Sequence, residues 1–277
     1  MTVPPYPWNP DIFHHSPIFA PLATVVGDLP HHSDWPDRTT LENMLREAAV
    51  VCGSGHPLRP IAPMASSEPD YPGYDAHCFL TGEMETREKN WHDLLNAMVW
   101  LAFPRTKAAL NARHYRSQQT SRGQNQRGTH RDALTLFDEC GVIICSDDDS
   151  LLDLLKNFAW KELFWHRRAD VLARMRVYIF GHGLYEQALK PFIGLTGKAL
   201  LLPVDQTFLR QSANAQIASI DETLCQLIAD PNQFNHPRDL SPLPILGVPG
   251  WAVENNESTY YDNTDYFRPG RRKAMAQ

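Results

Sequence analysis

Apolar positions are densest in the stretch KNWHDLLNAMVWLAFP, where from Trp91 to Phe103 they fall on every side of a helical wheel. That pattern predicts a buried helix. Asn90 is its expected N-cap, Asp93 sits in the favourable first turn, and Pro104 stops it and opens a second helix, RTKAALNARHY. Another helix, LENMLREAAVV, is expected after Thr39 or Thr40. DAHCFLTG reads as a short extended piece. RDALTLF alternates with period two and VIIC is continuously apolar, so both read as strands, joined by a hairpin turn at Asp138–Glu139–Cys140–Gly141 with Gly141 left-handed. SLLDLLKNFAWKELFWHRRADVL is helical with a joint near Asn157. RVYIF, GLYEQALKPF and KALLLPV then give a β-α-β run, and TFLRQSANAQIASIDETLCQLIAD a long amphipathic helix.

These elements predict the α+β class: a single domain with a small mixed sheet, strands near Leu134, Ile144, Tyr178 and Leu201, and helices packed against it. Residues 1–38 are expected to form a proline-rich N-terminal arm over the surface. Residues 39–272 form the single domain, with a proline-rich, aromatic C-terminal tail from Pro231, and residues 273–277 are expected to be disordered. The polar stretch SQQTSRGQNQRGTH is expected to be mobile.

Composition narrows the class without changing that picture. The chain has 277 residues, 43% hydrophobic and 21% charged, ordinary for a globular protein able to bury a core. Apolar runs such as Ala97 to Phe103 are far below the ~20 residues that span a bilayer, so no membrane partner is expected. The opening MTVPPYPWNPDIFHH has no basic start and no apolar core, which speaks against a signal peptide. Five cysteines without a CxxC pair argue against a disulfide framework and a cysteine zinc site. A soluble, cytoplasmic protein is expected. Its net charge is −6, yet no Asp or Glu occurs from Leu94 to His130, where Arg105, Lys107, Arg113, Arg116, Arg122 and Arg127 fall, with Arg131 next. Such a stretch, above all Arg105, Lys107 and Arg131, can meet an anion.

Three places carry candidate chemistry. At ~100° per residue, His92, Asp93 and Asn96 share one side of the buried helix near its start. They form either a capping network or the polar wall of a pocket, with His92 as acid/base or ligand and Asp93 orienting it or binding metal. On the expected strand, Asp132 and Asp138 bracket Leu134 and Leu136, although Asp138 suits a turn and Asp132 an ion pair with Arg131. In IFGHGLYEQ, Gly181 and Gly183 bend strand into helix, and His182 and Glu186, four apart, point at one ligand or at each other. The catalytic candidates are therefore His92, Asp93, Asp138 and His182, with Asn96, Asp132 and Glu186 lining the pocket.

No nucleophile elbow, P-loop, HExxH or long dinucleotide fingerprint occurs. Taken together, TREKNWHDLLNAMVWLAFPRTKAALN, RDALTLFDECG, VYIFGHGLYEQAL and LGVPGWAVENNESTYYDNTDYFRPGRR resemble a bacterial family known as domain of unknown function 3025. The resemblance runs from about Tyr74 to Arg272 and implies no activity, cofactor or catalytic residue. Two functional readings stay open. One is a metal-assisted hydrolase or transferase acting on a phosphorylated or other anionic substrate, with a divalent metal ion as candidate cofactor. The other is a non-catalytic module that binds nucleic acid or protein through the Arg105–Arg131 stretch.

Overall fold

The computed structural model describes residues 6–27, 29–31, 33–64, 71–120 and 129–270. It is an α+β domain. Its helices are α1 (Ile12–His15), α2 (Ala20–Ala23), α3 (Arg38–Glu47), α4 (Tyr74–Thr81), α5 (Trp91–Ala102), α6 (Pro104–Thr120), α7 (Thr129–Cys140), α8 (Asp149–Lys156), α9 (Arg168–Arg174), α10 (His182–Ala188), α11 (Gln206–Leu209) and α12 (Ala213–Ala229). Strands β1 (Arg59–Ile61) and β2 (Glu83–Glu85) form a parallel pair. Strands β3 (Gly141–Ser146), β4 (Met175–Ile179), β5 (Thr196–Pro203) and β6 (Ser241–Pro244) form a mixed sheet in the order β4-β3-β5-β6.

The registers set Ile143 opposite Tyr178 in the antiparallel pair and opposite Leu200 in the parallel one. Every residue of β3 is buried, as expected of a continuously apolar strand covered on both faces. The expected β-α-β run exists, but β3 lies between β4 and β5, which therefore run antiparallel to each other.

The expected strand at RDALTLF is instead helix α7, and no hairpin turn follows it. Ala133, Leu134 and Phe137 are fully buried, a helical spacing, and Phe137 stacks on Phe180 with ring centroids 4.7 Å apart. Such aromatic pairs add about 0.5–1.5 kcal/mol beyond the area they bury. The Leu134–Leu136 alternation is incidental, since Leu136 is only partly buried. Asp132 and Asp138 thus do not share a strand face. Gly141 is not left-handed but begins β3 directly. DAHCFLTG is likewise helical, ended by Gly82 at φ 75°.

The proline-rich N-terminal segment enters the core instead of draping over it: Phe13, Ile18, Phe19, Leu22, Val26 and Leu29 are all buried. Phe19 packs on Tyr185 of α10, and Trp8 and Trp35 pack on Trp91 at the start of α5. Both contacts brace helices that carry candidate site residues. The joint near Asn157 is present, with Phe158 at φ 59° after α8. The expected long helix is broken once, Ser212 capping α12 after the short α11. In the tail, Tyr261, Tyr266 and Phe267 are buried. Residues 121–128, with Arg122 and Arg127, and residues 273–277 lie outside the described residues.

Candidate functional site

Helices α5, α7 and α10 meet around a cavity of about 370 Å³. Helix α5 contributes His92, Asp93 and Asn96; α7 contributes Thr135, Asp138 and Glu139; α10 contributes His182. Tyr74 and Asp75 of α4, His114 of α6, Glu85 and Arg87 complete most of the wall. Because α7 is a helix, Thr135, Asp138 and Glu139 (i, i+3, i+4) form one stripe facing the cavity, while Ala133, Leu134 and Phe137 face the core.

At the centre, His92 Nε2 and His182 Nε2 are 3.1 Å apart, with the ring planes at 72°. His92 Nδ1 lies 2.8 Å from Glu186 Oε2. A carboxylate only accepts, so Nδ1 donates to it. His182 is buried, which pushes its pKa down to about 4, and the Asp138 charge offsets only part of that shift. Its imidazole is therefore neutral near pH 7, with one N–H. Nδ1 faces Asp138, whose carboxylate is 3.9 Å away, beyond hydrogen-bond distance, and Nδ1 has no hydrogen-bond partner. The two Nε2 atoms are within hydrogen-bond distance, so that one accepts from the other or both offer a lone pair to a shared cation, according to the tautomers.

Glu139 Oε1 is 3.7 Å from His182 Nε2. One ligand atom each from His92, His182 and Glu139 lie within 4.8 Å of one another. Tetrahedral bonds of ~2.1 Å separate neighbouring ligand atoms by about 3.4 Å, so these residues are spaced to hold one divalent cation. Glu186 behind His92 is the usual outer partner that orients a metal-binding imidazole. Burial raises the Glu139 pKa.

The GHG sequence has a steric explanation. Helix α10 starts across the junction of α7 and β3, so close that a Cβ at Gly181 would meet the backbone of Glu139 to Gly141. A Cβ at Gly183 would collide with the Glu139 carboxylate. Both glycines let His182 and Glu139 face the same space. A seven-residue α10 with buried His182 at its first position serves here as a mount for that side chain.

Asp138 is held from below by Lys107, whose Nζ is 2.5 Å from Oδ1 and whose side chain is 5% exposed. Burial raises the Asp138 pKa, but Lys107 and His182 more than offset this and leave it below the usual carboxylate value. Asp93 lines the cavity, yet its oxygens accept from the Arg87 backbone N–H (2.7 Å) and guanidinium (2.8 Å at Nε and at Nη2), so it pins the chain entering α5. Asn96 is buried and donates to Tyr74 Oη at 2.9 Å.

The basic stretch is dispersed. Exposed Arg105 pairs with Glu222, away from the cavity; Lys107 is consumed by Asp138; Arg113 is buried against the carbonyls of Ile228 and Gln233 and the Asn235 side chain. Arg131 is partly buried and does not line the cavity, although its charge acts on His114; Asp132 is exposed on α7 and also lies outside the lining. The five cysteines are free. Sequence reasoning missed Glu139, Arg87, Tyr74, Asp75 and His114. Only Glu139 had a local signal, its place one residue after Asp138 on what proves to be a helix.

His182 and His114 are both buried imidazoles with lowered pKa values, burial being the leading cause in each. The unfolded chain takes up protons near pH 6.5 that the folded chain refuses. Stability is thus complete above about 6.5 and falls as the pH drops toward 4. With a chelator present, the urea midpoint should be lower at pH 5 than at pH 7.5, and His182→Gln should reduce that difference. An unchanged midpoint would show that these imidazoles are not held neutral.

Among the described residues, no helix is long and apolar enough to cross a membrane. No curated protein and no solved structure matches the chain. The family model described as "Protein of unknown function (DUF3025)" matches residues 61–271, a span that contains α5, α7, α10 and all of the cavity-lining residues, and the chain belongs to that family.

Proposed function

We propose that the cavity is the active site of a metal-assisted hydrolase or transferase, in which His92 Nε2, His182 Nε2 and the Glu139 carboxylate hold a divalent ion. The observation that carries this reading is the pair of imidazole Nε2 atoms facing each other at 3.1 Å, each ring having a carboxylate behind its other nitrogen. With each imidazole carrying its hydrogen on Nδ1, the two Nε2 lone pairs converge on one point, where a cation accepts both. Two nitrogens and one carboxylate oxygen leave a coordination position for substrate or water, the arrangement of catalytic zinc sites. The ion would polarise a substrate oxygen and make water nucleophilic at neutral pH, which accounts for a polar cavity without a nucleophile motif.

The substrate is read as phosphorylated or otherwise anionic, and its negative charge is met by the ion. Arg105 and Lys107 are already paired, so the protein itself offers the anion little positive charge inside the cavity. For the same reason the reading as a nucleic-acid or protein binder through the Arg105–Arg131 stretch has no comparable support.

The test is hydrolysis of a panel of phosphomonoesters by chelator-treated protein, with and without added Zn²⁺ or Mn²⁺. Turnover that chelation abolishes and metal restores is expected. Failure of Zn²⁺ to bind in calorimetry, or turnover indifferent to chelation, would overturn the proposal.

A further inference from the structure

Besides the candidate metal ligands His92, His182 and Glu139, the cavity is lined by Asn96, His114, Tyr74 and Asp75. Asn96 is 7% exposed and its side-chain nitrogen is spent on Tyr74 Oη at 2.9 Å, with Met84 Sδ at 3.9 Å. Its Oδ1 is buried and has no hydrogen-bond partner. His114 is 6% exposed, and its Nδ1 is also buried without a partner. Buried polar atoms are satisfied in the great majority of cases, so three exceptions lining one cavity, these two and His182 Nδ1, mark a place where something binds.

The character of this part of the wall indicates what that is. An amide oxygen only accepts. The cationic donors nearby are occupied: Lys107 is given to Asp138 and Arg87 to Asp93. The charges that act on His114 are those of Asp75, Asp138, Lys107 and Arg131, of both signs. An apolar substrate group would leave the Asn96 oxygen unsatisfied, and an anionic one would meet Asp75 and Asp138. A hydrogen-bond donor satisfies it.

We infer that the part of the cavity wall around Asn96 is a subsite for an O–H or N–H group of the substrate, hydrogen-bonded to Asn96 Oδ1. The inference rests on the metal-assisted reading and adds the substrate class: an anionic ester with a hydroxyl or amino group close to the reacting bond. Asn96 lies one helical turn beyond His92, about 6 Å along α5, so the donor sits only a few bonds from the group on the ion.

The test uses the full chain loaded with Zn²⁺, and measures Kd by calorimetry for inorganic phosphate, propyl phosphate, 2-hydroxyethyl phosphate and 2-aminoethyl phosphate. At least one of the last two should bind about tenfold more tightly than propyl phosphate, which has a methyl group in place of the donor. A gain by the hydroxyl probe alone assigns an O–H donor, and a gain by the amino probe alone an N–H donor. Asn96→Leu should erase the gain and leave Zn²⁺ stoichiometry and inorganic phosphate affinity unchanged. The wild-type ratios stand as a test even if that variant does not fold. Equal affinity for all three esters, or a gain that survives in Asn96→Leu, overturns the subsite and spares the metal reading. Protein that takes up no Zn²⁺, or that binds no inorganic phosphate once loaded, overturns the proposed function and this subsite with it.

Discussion

Replacing His182 with alanine is expected to weaken Zn²⁺ binding by ~100-fold or more and to abolish metal-dependent turnover, with the thermal midpoint of the metal-free chain moving little. A ligand removed from a three-residue site costs at least as much as the 10–100-fold typical of losing an outer partner. The fold should tolerate the change, because the lost imidazole borders a cavity and its Nδ1 makes no hydrogen bond. His92→Ala should behave alike, whereas Glu186→Gln should weaken the metal only about tenfold, since it leaves an acceptor for His92 Nδ1. Asp93→Asn is the contrasting variant: it should loosen the Arg87 contact and leave metal affinity unchanged. Calorimetric titration and thermal melts on the same samples separate the two classes. Equal Zn²⁺ affinity in the wild type and His182→Ala would remove the basis for the site.

The largest effect on stability is expected from Lys107→Met, about 3 kcal/mol, because it leaves the Asp138 carboxylate without its cation. Asp138 is 23% exposed toward the cavity, so water relieves part of the burden and the lower end of the usual 3–5 kcal/mol applies. The double variant Lys107→Met/Asp138→Leu should recover most of the loss. The pH dependence follows from the lowered Asp138 pKa: its stabilisation is present above the ordinary value of 3.8 and is lost as the pH falls below it. In Lys107→Met that carboxylate takes up its proton at higher pH, so the penalty should shrink as the solution is acidified. Denaturant midpoints between pH 4 and 7 give the comparison. A single variant within 1 kcal/mol of wild type would show that the pair is not what holds Asp138.

The α+β class, helix α5 with its Asn90 cap, the apolar strand β3, and the strands around Tyr178 and Leu201 were legible in the sequence, because each rests on local rules. Those rules are period, capping and proline stops, and they act over one or two turns of chain. The grouping of His92, Asp93 and Asn96 on one side of α5, and of His182 with Glu186 on α10, was legible for the same reason. Helix α7 was not: the alternation at Leu134 and Leu136 suits a strand, and only packing of Ala133, Leu134 and Phe137 against Phe180 and the rest of the core selects the helix. That choice turns Glu139 toward His182 and makes it a ligand candidate, which no strand reading allowed. The basic stretch shows the opposite limit. Its charges are adjacent in the chain, but tertiary structure sends Arg105 to Glu222, Lys107 to Asp138 and Arg113 to carbonyls at the end of α12 and after it. Whether Asp93 faces a ligand or Arg87, and whether His92 faces water or a second imidazole, depends on contacts between elements up to 94 residues apart. Local sequence sets which side chains share a face of one helix; the meeting of three helices decides which of those faces form a site.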